Sequence, residues 1–223
     1  MSADAASILA CLEQVEQQRA LRAADPALAA RVTALKAWQR QRFMRTYADL
    51  LADPRHAPAA RFFLDELYGP GDFSTRDDQF ARIVPALARL FSAEVVATVR
   101  DLALLHALSE QLDTAMAQAL PAGAIDPALY AAAWRAVGRP ADRERQIALL
   151  LAVGRALDRH TRRPLLRQAL RLMRQPAAAA GLGALQRFLE TGFDTFRAMG
   201  GAEEFLGLIA QRERALAAQL FGG

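Results

Sequence analysis

Hydrophobic positions recur every three or four residues along most of the chain, the spacing that places apolar side chains on one face of an α-helix. Ala, Leu, Arg, Gln and Glu, all strong helix formers, dominate the composition. Alternating runs of Val, Ile and Thr, the usual sign of β-strands, do not occur. The pattern therefore predicts an all-α protein.

Prolines, glycines and small polar residues divide this pattern into segments. A capping residue followed by proline predicts a helix start, and glycine predicts a helix end. The sequence therefore predicts helices over about 5–23, 26–51, 58–67, 93–120, 127–138, 140–157, 164–174 and 202–220, with others around 80–91 and 185–196. Ser74 is predicted to cap the helix around 80–91, Pro85 to kink it, and residues 175–183 to form the most linker-like segment.

No segment is long, polar or repetitive enough to separate two domains. We therefore predict a single domain over residues 1–223, an orthogonal or bundle-like array of about eight to ten helices. Its core is expected to consist of the aromatic and leucine stripes of these helices.

Neither a membrane span nor a secretory signal is predicted. The longest uncharged runs, 114–125 and 175–186, have 12 residues each, whereas a span needs roughly 20. The first twelve residues carry no basic group ahead of their short apolar stretch, unlike a secretory signal. The single cysteine, Cys11, is typical of a reducing compartment, so we expect a cytoplasmic protein.

The most distinctive stretch, residues 61–78, places aromatic and acidic side chains around a glycine-proline turn. One interpretation is an ordered helix-loop-helix corner in which arginines bridge carboxylates. The other is a recognition surface whose acids converge on a cation or a basic partner. We predict no metal site, because the ligand spacings of di-iron bundles and of calcium loops are absent. The recognition candidates are Phe62, Phe63, Asp65, Glu66, Tyr68, Asp72, Phe73, Arg76 and Asp77.

This stretch also carries a resemblance. The pattern Phe62-Phe63-Leu64, Leu67-Tyr68-Gly69-Pro70, Asp72-Phe73 and Arg76-Asp77 resembles a family of uncharacterised, all-helical proteobacterial proteins. Segments 106–113 and 185–193 fit the same family, so the resemblance covers most of the chain. No activity is known for that family, and the resemblance therefore implies none here.

Four polar residues of the helix predicted over 93–120 are candidates for a ligand pocket: Asp101, His106, Glu110 and Asp113. A histidine with carboxylates four and seven residues later can be an oriented base, a haem ligand or one arm of a metal site, or simply pair with Glu110. Helical spacing places Asp101 on the leucine face, where it needs an arginine from another helix or else its pKa must rise. We predict that Asp101 and His106 face a partly polar interior pocket.

Basic charge is concentrated in one region. Of the 28 basic residues only Lys36 is a lysine, and residues 135–174 hold 11 arginines against three acids, a local charge of +8 in a chain of net charge +4. Helical spacing aligns Arg163, Arg167, Arg171 and Arg174 in one stripe. The stripe can bind phosphates of nucleic acid or lipid headgroups, or form an intramolecular or dimer salt-bridge face. Nucleic acid is disfavoured, because no helix-turn-helix signature or aromatic platform accompanies it.

Hydrolase and nucleotide-binding motifs are absent, and no nucleophile or electrophile accompanies the acid-base candidates, so an enzyme is the least favoured class. The sequence favours a non-enzymatic protein acting through a protein partner or self-association at the 61–78 corner. One alternative is a binding module for a hydrophobic small molecule such as a lipid, a quinone or haem; haem is the one cofactor left open. A second alternative is polyanion binding through residues 135–174.

Overall fold

The computed structural model describes residues 3–66 and 73–222 of the chain, and within them it contains twelve α-helices and no strand. The all-α prediction is confirmed. Ten helices have nine or more residues, and two short ones, α3 and α10, account for the excess over the expected number. The helices are α1 (Ala3–Ala24), α2 (Pro26–Thr46), α3 (Ala48–Ala52), α4 (Ala57–Glu66), α5 (Ser74–Leu90), α6 (Ala93–Ala119), α7 (Pro127–Val137), α8 (Pro140–Thr161), α9 (Pro164–Leu172), α10 (Arg174–Ala179), α11 (Gly183–Met199) and α12 (Glu203–Gly222).

Capping residues and glycines set several helix ends where the sequence predicted them. The Asp25 carboxylate accepts hydrogen bonds from the first backbone N–H groups of α2, and Asp126 accepts one from the Leu129 N–H of α7 at 2.7 Å. Gly138 and Gly200 end α7 and α11 with positive φ angles of 57° and 70°, a conformation that favours glycine. These boundaries follow directly from local chemistry.

Three local predictions are wrong. The helix expected over 26–51 breaks at Tyr47, whose buried hydroxyl donates to Glu213 of α12, a partner distant in sequence. The segment expected to be a linker contains α10, because Pro176 lies in a first turn, where proline is tolerated, and alanines follow. Phe73, rather than Ser74, occupies the cap position of α5. Pro85 lies inside that helix, which continues through it.

Helix α6 runs through the middle of the packing, against α1, α2, α7 and α8. Three apolar clusters surround it, and each includes residues of α6. One forms around Phe63 and Phe205, a second between α1, α5 and α6 contains Cys11, and a third forms around Tyr130. Glu110 and Thr114, polar residues of α6, are buried among these clusters. None of the helices described is both long enough and apolar enough to cross a membrane.

Candidate functional site

A cavity of about 140 Å³ lies along α6. One part of its wall is apolar and comes from α1, α5 and α6: Leu12, Phe80, Ile83, Leu87, Val99 and Leu102. The other part is polar and comes mainly from α2, α5, α6 and α8: Lys36, Gln39, Arg42, Glu66, Arg76, Asp77, His106, Ser109, Glu110, Asp113, Arg143, Gln146 and Glu213. The cavity therefore offers an apolar and a hydrogen-bonding environment side by side.

His106 is held by a carboxylate from α5. Its Nε2 lies 2.8 Å from Oδ2 of Asp77, and Arg19 of α1 contacts the same oxygen. Burial would raise the pKa of Asp77, but the hydrogen bonds from His106 and Arg19 outweigh it and hold that pKa below its ordinary value. Because an ionised carboxylate only accepts hydrogen bonds, Nε2 of His106 must carry a proton. Its ring is thereby oriented beside the cavity.

Glu110, one turn further along α6, is held by two cations. Lys36 Nζ lies 2.6 Å from Oε1, and Arg22 lies 2.6 Å from Oε2. Burial alone would raise the pKa of Glu110, but the charges of Lys36 and Arg22 lower it to about 2. Arg22 also donates to the Thr114 hydroxyl at 2.9 Å. Helices α1, α2 and α6 are thus joined by an ionised carboxylate inside the molecule.

Asp113 lies three residues beyond Glu110 but in a different environment. Gln39 donates a hydrogen bond of 3.1 Å to its Oδ1, and no described basic side chain lies within ion-pair distance of it. Burial disfavours its charged form and raises its pKa. Its side chain remains half-accessible because it faces the cavity. Asp113 is therefore a carboxyl group available to an occupant.

Hydrogen-bond donors line the same end of the cavity. The buried Nε1 of Trp134 has no acceptor in the part of the chain that is described. The Arg143 guanidinium lies 4.0 Å from the centre of the Trp134 ring. Gln146 donates to the Ser109 hydroxyl at 2.8 Å. An occupant carrying acceptor oxygens would satisfy these donors.

The structure brings three of the four pocket candidates to the cavity: His106, Glu110 and Asp113. Asp101 lies outside the lining, contrary to expectation. It is half-exposed, and its Oδ1 is 3.2 Å from Arg100 of the same helix rather than from an arginine on another helix. Water and the adjacent guanidinium both solvate this carboxylate, so it needs no interior partner.

The 61–78 corner contributes mainly to the core. Phe62 and Phe63 are buried. The Arg76 guanidinium lies 4.3 Å from the ring centre of Phe73 and 4.4 Å from that of Phe188. Tyr68 and Asp72 lie outside the described residues.

The acids of this corner that the structure describes do not converge. Asp65 pairs with Arg40 at 3.0 Å, and Glu66 pairs with Arg76 at 3.2 Å. Asp77 instead engages Arg19 and His106. In the described parts of the chain, no cluster of His, Cys, Asp and Glu could hold a metal ion.

The arginine stripe is largely used within the molecule. Arg163 pairs with Glu94 at 2.5 Å, Arg167 with Asp194 at 3.1 Å and Arg174 with Glu190 at 2.7 Å. Arg171 forms no ion pair with any described residue. The stripe thus matches the intramolecular salt-bridge interpretation at three of its four positions.

Sequence reasoning missed most partners of the pocket candidates, among them Arg22, Lys36, Gln39 and Trp134. They lie on other helices, and helical spacing within α6 carries no information about them. Lys36 had a usable signal, because it is the only lysine in a chain whose other basic residues are all arginines. It is also the cation that lies 2.6 Å from Glu110.

The fold and cavity define an all-helical protein with a partly polar interior cavity. Residues 18–223 match the model of a family described as Domain of unknown function (DUF8198), and the chain belongs to that family. This agrees with the resemblance to an uncharacterised family; the proteobacterial origin and the 62–77 motif stay predictions. No curated protein matches the chain, and no solved structure does.

Proposed function

We propose that this protein is a binding module for a small amphipathic molecule held in the cavity along α6. The observation that carries the proposal is the enclosure of ionisable side chains around a space whose opposite wall is apolar. Protein interiors are close-packed, and buried charges cost stability, so such an arrangement is a default candidate for a ligand site.

The cavity volume limits the size of the ligand. About 140 Å³ is close to the roughly 150 Å³ of an apolar cavity known to accept benzene. A porphyrin needs far more space, so haem does not belong to the proposal. A single ring or a short chain is the appropriate size.

The polar wall indicates the chemistry of the ligand. Trp134 Nε1–H lacks an acceptor among the described residues. Two cations that line the cavity lie at this end: Lys36, whose Nζ is 2.6 Å from Glu110, and Arg143, whose guanidinium lies 4.0 Å from the centre of the Trp134 ring. We therefore expect carbonyl or carboxylate oxygens at this end. The apolar body of the ligand would lie against Val99 and its neighbours.

We favour this function over recognition of a protein at the 61–78 corner. The described candidates of that corner are buried, such as Phe62 and Asp77, or engaged with internal partners, such as Arg76. Among the described acids of the corner that form an ion pair, Asp65 is the most exposed. Its partner Arg40 already neutralises its charge. The corner therefore presents little free recognition chemistry.

Native mass spectrometry of protein purified gently from cells tests the proposal. We expect a small-molecule adduct that is lost on denaturation. In Val99→Phe, a ring fills the apolar end, so the adduct should disappear. The matched control Val95→Phe, one turn away and outside the lining, should retain it.

A thermal-shift panel of benzoate, octanoate and a short-chain quinone provides a second readout, because a ligand that binds only the folded state raises Tm. We expect at least one compound to raise the Tm of the parent and of Val95→Phe but not of Val99→Phe. A parent with no adduct and no compound-dependent shift would contradict the proposal, as would equal shifts in both variants.

A further inference from the structure

Helix α9 exposes its apolar side chains to solvent. Leu165 is 77% exposed and Leu172 is 78% exposed, whereas none of the residues of α9 is buried. Positions seven residues apart lie on nearly the same side of a helix, so these leucines form one outward face, continued by Ala169 and by Met173 at the end of the helix. Such a face is the reverse of an ordinary surface helix, which turns its polar side outward.

Arg167 of α9 and the arginines that flank this helix, Arg163 and Arg174, point the other way. Helical spacing places Arg163, Arg167 and Arg174 on the side opposite Leu165 and Leu172. They pair there with acids of α6 and α11 at 2.5–3.1 Å. These ion pairs fix the orientation of α9, with its leucines outward.

A second apolar segment lies at the same end of the molecule. Leu90, 79% exposed, is the last residue of α5, and Phe91 follows it in the connection to α6. Three residues after Phe91, Glu94 pairs with Arg163 immediately before α9. The Glu94–Arg163 pair therefore places this segment near the start of α9. We call the exposed apolar side chains of the two segments together the α9 face: Leu90, Phe91, Leu165, Leu172 and Met173.

The charge around this face is positive. Arg89 and Arg171 are exposed and form no ion pair with any described residue, and Arg162, also exposed, pairs with Asp158 four residues before it. The nearby acids Glu94 and Glu190 are already engaged by arginines. An anionic surface complements this pattern, whereas a second copy would bring the same positive charge.

Size also argues against a second copy. A nine-residue helix presents a strip on the order of 14 Å by 10 Å, far less than the roughly 800 Å² per partner of a stable protein interface. An amphipathic helix on a bilayer needs no such area, because leucines enter the boundary between headgroups and acyl chains while neighbouring basic residues contact lipid phosphates.

We propose that the α9 face docks on an anionic membrane surface. The leucines and Phe91 enter the interface, and the arginines around them bind lipid phosphates. The few apolar side chains involved give reversible association that depends on negative charge. This inference is independent of the cavity and of its ligand.

Co-sedimentation with vesicles tests it. The full chain should bind vesicles of equal phosphatidylglycerol and phosphatidylcholine at low salt. It should bind vesicles of phosphatidylcholine alone with an affinity at least about tenfold lower. The double variant Leu165→Ser/Leu172→Ser should lose about tenfold in affinity, and Arg171→Glu should lose a smaller factor. The matched control Leu21→Ser/Met44→Ser removes two exposed apolar side chains of α1 and α2 and should bind like the parent.

Several results would overturn the proposal. They are failure of the parent to bind anionic vesicles, undiminished binding by the double leucine variant, and equal loss in the control. Sedimentation velocity tests whether a second copy of the chain binds the α9 face. A dimer that is abolished by the leucine changes would assign the face to a second copy. Leucine-dependent binding to soluble polyglutamate in place of vesicles would assign it to an acidic protein. Circular dichroism of each variant confirms that it is folded.

Discussion

Helix α6 and the α9 face use the same ion-pair chemistry in opposite surroundings. Arg22 lies 2.6 Å from Glu110, and Arg174 lies 2.7 Å from Glu190. The first pair has side chains 13% and 8% exposed, whereas the exposed fractions in the second are 57% and 17%. Water can replace a lost partner around α9 but not around α6. The distance between the two charged groups therefore does not distinguish an interior ion pair from a surface one. The burial of their side chains does.

The two regions also differ in what their ion pairs accomplish. Along α6, the pairs hold carboxylates of defined charge beside a cavity, so they shape an interior site. At α9, they hold arginines toward the protein and leave leucines in solvent, so they shape an exterior surface. The same residue types produce an interior of mixed polarity in one place and an apolar exterior in the other.

The largest expected effect separates buried from exposed pairs. Glu110→Gln leaves Lys36 and Arg22 enclosed without their counter-charge, and we expect the free energy of unfolding to fall by about 3–5 kcal/mol. Urea unfolding followed by circular dichroism measures it. Asp194→Asn, which breaks the exposed pair with Arg167, is the control and should leave the midpoint within error of the parent. Equal shifts in the two variants would remove the distinction.

A related effect appears in the pH dependence of stability. Glu110 has a folded-state pKa of about 2 against an ordinary 4.5, so its ionised form is favoured by folding. This contribution, about 3 kcal/mol, is fully present above pH 5 and is lost as the pH falls toward 2. The lowered pKa of Asp77 acts in the same direction. Urea unfolding at pH 6, 4 and 3 should therefore show a steeper loss for the parent than for Glu110→Gln, and parallel curves would refute this.

Asp113 should behave in the opposite way. Its raised pKa means that folding favours the neutral carboxyl, so the charged form costs stability as the pH rises above its ordinary value of 3.8. Asp113→Asn should raise Tm at pH 7.5 by on the order of 2 °C and give no gain at pH 3.5. Asp101→Asn on the same helix is the matched control without a gain. A lower Tm for Asp113→Asn at pH 7.5 would indicate a stabilising ionised carboxylate.

The smallest effect concerns the α9 face in the absence of vesicles. Leu172→Ser changes a side chain that is mostly in water. The free energy of unfolding should therefore change by no more than about 0.5 kcal/mol. Leu112→Ala, at a fully buried position of α6, provides the contrast with a loss of about 2–5 kcal/mol. A substantial loss in Leu172→Ser would show that the α9 face is covered within the chain.

Helix ends were predictable wherever they depend on local chemistry. Asp126 followed by proline, and Gly138 and Gly200 at positive φ, act within a few residues of themselves. The break at Tyr47 was not predictable, because it accompanies a hydrogen bond to Glu213, 166 residues away in sequence. Local signals thus predict boundaries, and tertiary contacts override them.

Side-chain partners were less predictable than helices. Sequence spacing suggested Glu110 as the partner of His106, yet the structure pairs His106 with Asp77 of α5 and Glu110 with Lys36 of α2. Both contacts depend on how neighbouring helices cross α6, and one chain's periodicity does not contain that information. In contrast, the common location of His106, Glu110 and Asp113 along the cavity was predictable from the sequence, because these residues share one face of a single helix.

The single thiol, Cys11, is a natural probe for the motion of α1. Cys11 is buried between α1, α5 and α6, and burial raises its pKa, which keeps it protonated and unreactive. A thiol reagent can reach it only when α1 separates transiently from its neighbours, so the rate of labelling reports how often that helix opens. The next residue, Leu12, lines the cavity. An occupant that stabilises this packing would therefore lower the labelling rate of Cys11, and no label has to be engineered into the protein.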